Sequence, residues 1–154
     1  MQAITKFMGQ DHDRLDRLFR EFQAMKGSNF GKAKHSFSEF MRGLQRHIVW
    51  EEEILFPLFE DQTGMQDRGP TAVMRMEHRR IREFLEEIHD RFIHGETDTD
   101  EIEKALLDTL AAHNKKEETI LYPWIDQSLS EQDADTTLAR MREVPEERFD
   151  HCCG

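Results

Sequence analysis

The chain has almost no cysteine: of 154 residues only Cys152 and Cys153 carry a thiol, both in the terminal HCCG. That rules out a disulfide framework and leads us to expect a reducing, cytoplasmic setting. No run of 18 apolar residues occurs, so no stretch is long enough to cross a bilayer as a helix. The opening MQAITKFMGQDHDR lacks the apolar core of a signal peptide. Lysine and arginine form no cluster and the formal net charge is −11, which argues against nucleic acid or an anionic membrane surface as partner. Glycine and proline are few (8 and 4), so there is little punctuation for a strand-and-turn fold.

Against these absences stands a stretch that occurs twice. His47 to Pro57 reads HIVWEEEILFP and His113 to Pro123 reads HNKKEETILYP, both His-x3-Glu-Glu-x-Ile-Leu-aromatic-Pro. On an α-helix four residues advance about 400°, so His47 and Glu51 project from one face, as do His113 and Glu117. Glu52 and Glu118 fall roughly 140° from their histidines and Glu53 about 240° from His47, which predicts that these three face solvent. An imidazole and a carboxylate one turn apart make half of a metal site, and the second copy offers the other half.

Apolar spacing predicts helices over residues 4–26, 32–60, 70–94 and 99–128. His12 shares a face with Leu15, Phe19 and Phe22, and His47 with Phe40, Leu44 and Ile48. His78 does so with Ile81, Leu85 and Ile88, and His113 with Leu106, Leu110 and Leu121. Gly27 to Gly31, Gly69-Pro70 and Gly95 mark the breaks, and Pro57 is expected to kink or end the second helix. Asp98 with Glu101 reads as a capping pair, and Ser128-Leu-Ser-Glu131 as the opening of a short fifth helix reaching Met141. A polar tail follows from Pro145. Short connections between long helices give an all-α, up-down-up-down four-helix bundle over residues 1–128, with the short helix and tail over 129–154.

Rise per residue then sets the level of each histidine. His12 lies roughly 21 Å from the first turn and His47 roughly 22 Å back from it, and His78 and His113 match in the same way at about 24 and 21 Å. All four fall in one layer. An offset of sixty-six residues also maps Met8 onto Met74, Asp11 onto Glu77, His12 onto His78 and Leu44 onto Leu110. The chain reads as two copies of one hairpin about a pseudo-twofold axis, with His12 and His47 for one ion, His78 and His113 for another, and Glu51 and Glu117 bridging. A single histidine on an apolar face is ordinarily a hydrogen-bonded core residue. Four histidines with two carboxylates in one layer are different, because buried carboxylates without a cation carry a cost of several kcal/mol each. Imidazole and carboxylate without thiolate fit iron first, then manganese, then zinc.

His12, His47-x3-Glu51, His78 and His113-x3-Glu117, with the two EE-x-[IL]-L-[FY]-P tails, resemble the hemerythrin-like (HHE cation-binding) domains over roughly residues 8–128. The resemblance implies a four-helix bundle with a non-haem di-iron centre, bridged by two carboxylates and an oxo or hydroxo group. It also implies a small ligand, O₂, nitric oxide or peroxide. The oxygen carriers have His-x3-His on the third helix, where this chain has Met74; Met8 takes the equivalent place in the first helix. Both methionines are expected as core fillers, since a thioether is a soft ligand for iron. The alternative places both beside the metals and leaves open positions there.

Binding or sensing of a diatomic or peroxide ligand is the leading functional expectation. The alternative is a di-iron oxidoreductase working with a redox partner on peroxide or nitric oxide, or a protein of iron–sulfur cluster repair. His89 lies roughly 16 Å along its helix from His78 and is expected in the core or at its boundary. His35 and His94 are expected in solvent, and His151, Cys152 and Cys153 in a tail.

Overall fold

The computed structural model describes residues 2–150; His151, Cys152 and Cys153 lie outside the described residues. Those described fold into helices, with no strand among them. The order is α1 (Ala3–Met25), α2 (Phe30–Trp50), a π-helical turn (Glu51–Leu55), α3 (Phe56–Thr63), α4 (Pro70–Ile93), α5 (Asp100–Lys116), a second π-helical turn (Glu117–Leu121), α6 (Tyr122–Ser128) and α7 (Glu131–Arg142). A short 3₁₀ turn, Glu146–Arg148, follows. Residues 30–63 and 100–128 each run as one helical rod, with the π turn inside it.

Local chemistry sets the ends. The Asn29 side chain accepts from the Lys32 N–H at the start of α2. Gly69, at φ 84°, turns the chain into Pro70, whose missing N–H costs nothing in a first turn. Ile4 and Thr5 each give a backbone N–H to the buried Asp126 carboxylate at 2.9 Å, so α6 supplies the negative charge that the start of α1 lacks. Two caps differ from expectation. Thr99 precedes α5 and its hydroxyl bonds Glu103, in place of an Asp98–Glu101 pair. Ser130, not Ser128, caps α7, accepting from Asp133 N–H at 3.1 Å.

Pro57 does not end the second helix. It falls in the first turn of α3, directly after a π turn, and Pro123 does the same before α6. A proline ring collides with the carbonyl four residues back, and a turn opened to i→i+5 bonding gives it room.

The apolar faces pack into two cores. The larger joins all four long helices through Leu15, Phe19, Phe40, Ile48, Leu85 and Leu106. The smaller gathers Met8, Trp50, Phe56, Met74, Tyr122 and Ile125, together with Leu138 and Met141 of α7. Met8 and Met74, buried in this second core, are packing residues. Burying a large aliphatic or aromatic side chain contributes about 1.5–3 kcal/mol, so α7 is held despite its thin apolar content. Trp50 helps, donating its indole N–H to the Met141 carbonyl at 2.7 Å. The tail is not wholly polar either: Phe149 is buried, beneath the Arg42 guanidinium.

Candidate metal centre

In sequence, His12 lies between Met8 of the smaller core and Leu15 of the larger, and His47 between Leu44 and Trp50. The histidine layer is the seam between the two cores. His12 of α1 faces His47 of α2 with ring centres 4.6 Å apart, and His78 of α4 faces His113 of α5 at 4.9 Å. Glu51 and Glu117, the first residues of the two π turns, enter between the pairs and are wholly buried. Glu51, His78, His113 and Glu117 each offer one ligand atom within 4.8 Å of the others, and so do His12, His47 and Glu117.

The two glutamates cross between hairpins. Glu51 Oε1 lies 3.0 Å from His78 Nε2, and Glu117 Oε1 lies 3.3 Å from His12 Nε2. Glu117 Oε2 is 3.1 Å from His113 Nε2, while His47 Nε2 is 3.7 Å from Glu51 Oε2. All four imidazoles therefore turn Nε2 inward.

Each also gives Nδ1 to a second carboxylate. His47 donates to Asp11 at 2.8 Å, His113 to Glu77 at 2.9 Å, His78 to Glu52 at 2.7 Å and His12 to Glu118 at 3.2 Å. Such partners fix the tautomer and leave the Nε2 lone pair free to coordinate. α-Helical phase predicted both outer glutamates in solvent: Glu118 is exposed as predicted yet bonds His12, and Glu52 is largely covered. A π turn rotates less per residue, so Glu51 with Glu52 grips both nitrogens of His78, and Glu117 with Glu118 both of His12. Glu53 does point outward and pairs with Arg148. A third layer of cations backs three of the outer carboxylates: Arg14 and Arg46 at Asp11, Arg82 at Glu52, Lys116 at Glu77.

One member of the site was not expected. The buried Tyr122 hydroxyl donates to Glu51 Oε2 at 2.6 Å and lies 3.0 Å from Glu117 Oε1 and 3.2 Å from His47 Nε2. It occupies the aromatic position of the repeated motif, where the other copy has Phe56. Burial, with Glu117 and Glu51 adjacent, pushes the phenol well above its usual range.

Protonation follows the same contacts. Burial opposes charge on His78, but the hydrogen bonds to Glu51 and Glu52 prevail and raise it to about 9. His12 and His113 are raised by Glu117 in the same way, against burial. His47 goes the other way, lowered chiefly by burial. Burial would raise Glu117, yet its contacts with Glu51, His113 and His12 hold it well below the usual carboxylate range.

The donors fit a pair of cations. Glu117 Oε2 is buried and has no hydrogen-bond partner, although an imidazole nitrogen stands 3.1 Å away. An orphaned carboxylate oxygen facing inward Nε2 atoms is what a metal ion would satisfy. Four imidazoles and two carboxylates without thiolate suit a first-row divalent ion.

A family model, the Hemerythrin HHE cation binding domain, matches residues 3–125, most of the chain. The chain belongs to this family. An uncharacterized hemerythrin-like protein of Schizosaccharomyces pombe is 25% identical over 135 residues, covering 87% of this chain and 64% of that protein. The iron–sulfur cluster repair protein YtfE of Edwardsiella ictaluri is 31% identical over 91 residues, 55% of this chain and 41% of its own. YtfE of Escherichia coli is 44% identical over 45 residues, 29% of this chain and 20% of that protein. The hemerythrin-like chain therefore spans less than two thirds of the length of these curated relatives. No solved structure matches it significantly.

Within this hemerythrin-like domain, the structure brings together all six residues singled out from the repeat: His12, His47, Glu51, His78, His113 and Glu117. Sequence reasoning missed the roles of Asp11, Glu77, Glu52, Glu118 and Tyr122. A signal existed for the first two, because the repeat pairs Asp11 with Glu77, one residue before each of His12 and His78. His89 is partly buried and sits near Asp90, and His35 and His94 are exposed.

Proposed function

We propose that this hemerythrin-like domain holds two iron ions, one at His12 and His47 and one at His78 and His113, bridged by Glu51 and Glu117. The scaffold is an up-down-up-down four-helix bundle of two repeated hairpins, and its task is to bind a small ligand, O₂, nitric oxide or peroxide, for sensing or carriage. The observation that carries the reading is the inward turn of four Nε2 atoms onto two fully buried carboxylates. Two iron ions held by these residues would supply an open coordination position for a small molecule and the electrons to exchange with it. The chain does the rest. Asp11, Glu77, Glu52 and Glu118 hold the Nδ1 protons and so the ring orientations, and the two apolar cores keep bulk water from the layer.

A second reading, a di-iron oxidoreductase or a part in iron–sulfur cluster repair, is favoured by the similarity to the iron–sulfur cluster repair proteins YtfE. One experiment separates the readings. Protein purified without chelator is analysed for metal, reduced, and exposed to O₂ while its visible spectrum is followed. Two irons per chain with a band that comes and goes with O₂ support binding, and irreversible oxidation with turnover supports the second reading. Zinc or no metal overturns both. His47→Ala and His113→Ala should each lower the metal-to-protein ratio and the melting temperature.

A further inference from the structure

The two halves of the centre are not equally open. A cavity of about 660 Å³ lies between α1 and α5 and reaches His12 and Glu118. Phe19, Leu44 and Leu110 give it apolar walls, and the repeat shows what keeps it open. Ala111 and Asn114 stand on α5 where the other copy has the larger Gln45 and Ile48. Gly9 on α1 stands where the second hairpin has Arg75, and a Cβ at Gly9 would meet Glu118 Oε1 at 3.2 Å. On the far side Arg75 reaches across to Glu60, and Arg82 to Glu52. The outcome is visible in the outer carboxylates: Glu118 is 42% exposed and Glu52 22%.

The interior differs in the same sense. The Tyr122 hydroxyl lies 3.2 Å from His47 Nε2 and 3.5 Å from His12 Nε2, at the half the cavity reaches. Its counterpart Phe56 stacks on His78 with ring centres 5.6 Å apart and offers no hydroxyl.

We propose that the small ligand reaches the centre from one side, through the α1–α5 cavity, and binds at the His12–His47 half with the Tyr122 hydroxyl as its hydrogen-bond donor. This rests on the metal reading above and adds to it a side, a donor and a ligand class. The ligand is neutral. Asp13, Asp16, Asp108 and Glu118 outnumber Arg20 and Lys115 around the cavity, so an approaching anion is repelled. Tyr122 needs only rotation of its O–H, from Glu51 Oε2 toward a lone pair on the newcomer. The His78–His113 half, covered by Phe56 and by the Arg75 and Arg82 contacts, holds its ion without taking up ligand.

The test uses nitric oxide as a neutral probe on the metal-loaded, reduced chain, with association and dissociation followed by stopped-flow absorbance. The double variant Ala111→Gln, Asn114→Ile installs the first hairpin's residues at exposed or half-exposed positions, so the fold should survive. It should slow association about tenfold or more, because it fills the route. Tyr122→Phe should keep two metals per chain and speed dissociation roughly five- to tenfold, the loss of one hydrogen bond. Metal-to-protein ratio and melting temperature, read on every variant, show that the centre is intact. Wild-type association in the filled-cavity variant, with metal retained, overturns the proposal and leaves the metal reading standing. A wild-type chain that takes up no metal overturns that reading, and the proposal with it.

Discussion

Set side by side, the hairpin of α1 with α2 and the hairpin of α4 with α5 hold their first histidines alike. His12 is gripped by Glu117 and Glu118, and His78 by Glu51 and Glu52. The second histidines are less alike. His113 has a carboxylate oxygen 3.1 Å from Nε2 and is raised, whereas His47 has the Tyr122 hydroxyl at 3.2 Å and is lowered, chiefly by burial. The comparison separates two demands. Residues directed at the centre, the four histidines with Glu51 and Glu117, keep near symmetry. Those one layer out, Gly9 against Arg75 and Ala111 against Gln45, diverge, as does Tyr122 against Phe56 beside the ring nitrogens. Divergence there decides which half meets solvent.

The largest expected effect comes from the residue that both halves share. Glu117 touches His12 Nε2 and His113 Nε2, so Glu117→Gln should weaken binding of the pair of ions by more than about 100-fold. Competition against a chromophoric chelator measures this. Loss of only one ion, with the other bound at its wild-type affinity, would show that the carboxylate serves one half.

Next in size is a pH effect in the metal-free chain. His78 titrates near 6.5 unfolded and at about 9 folded. The stabilisation from its contacts with Glu51 and Glu52 is complete below 6.5 and is lost as pH rises through about 9, a change of about 3 kcal/mol. Melting temperatures of chelator-treated protein should fall between pH 6.5 and 9. In metal-loaded protein that fall should vanish, because a coordinated Nε2 carries no proton in either condition. An equal decline in both forms would count against coordination at His78.

The smallest effect sharpens the comparison most. Glu52→Gln removes a carboxylate that is 22% exposed and backed by Arg82, while Glu118→Gln removes one that is 42% exposed at the cavity. Each should weaken metal binding within the roughly 10- to 100-fold range of such outer partners, with Glu52→Gln the costlier by a few-fold. Reversed order would mean that exposure does not set the strength of these contacts.

The inner site was legible for a physical reason. His-x3-Glu is a one-turn relation that any α-helix imposes, and an offset of sixty-six residues repeats it without reference to the rest of the chain. Apolar periodicity likewise placed Phe19, Leu44, Ile81 and Leu106 in the core. The same α-helical arithmetic missed that Glu52 and the exposed Glu118 bond imidazoles, because it assumed regular rotation through a segment that widens ahead of Pro57 and Pro123. Those prolines were the available signal.

Tyr122 shows where local reading stops. A tyrosine in an apolar helical stretch is equally at home with its hydroxyl in solvent or buried, and its partner Glu51 is 71 residues away in sequence. The sequence by itself determined that the chain is helical, that it is built twice over, and that imidazoles and carboxylates share one layer. Each of these depends on spacing along a single helix. The tertiary structure decided which carboxylate holds which ring nitrogen, which side of the centre is open, and that a phenol reaches between the two buried carboxylates. Those depend on contacts between helices, where a turn widened ahead of proline or a glycine in place of an arginine changes which side chains meet.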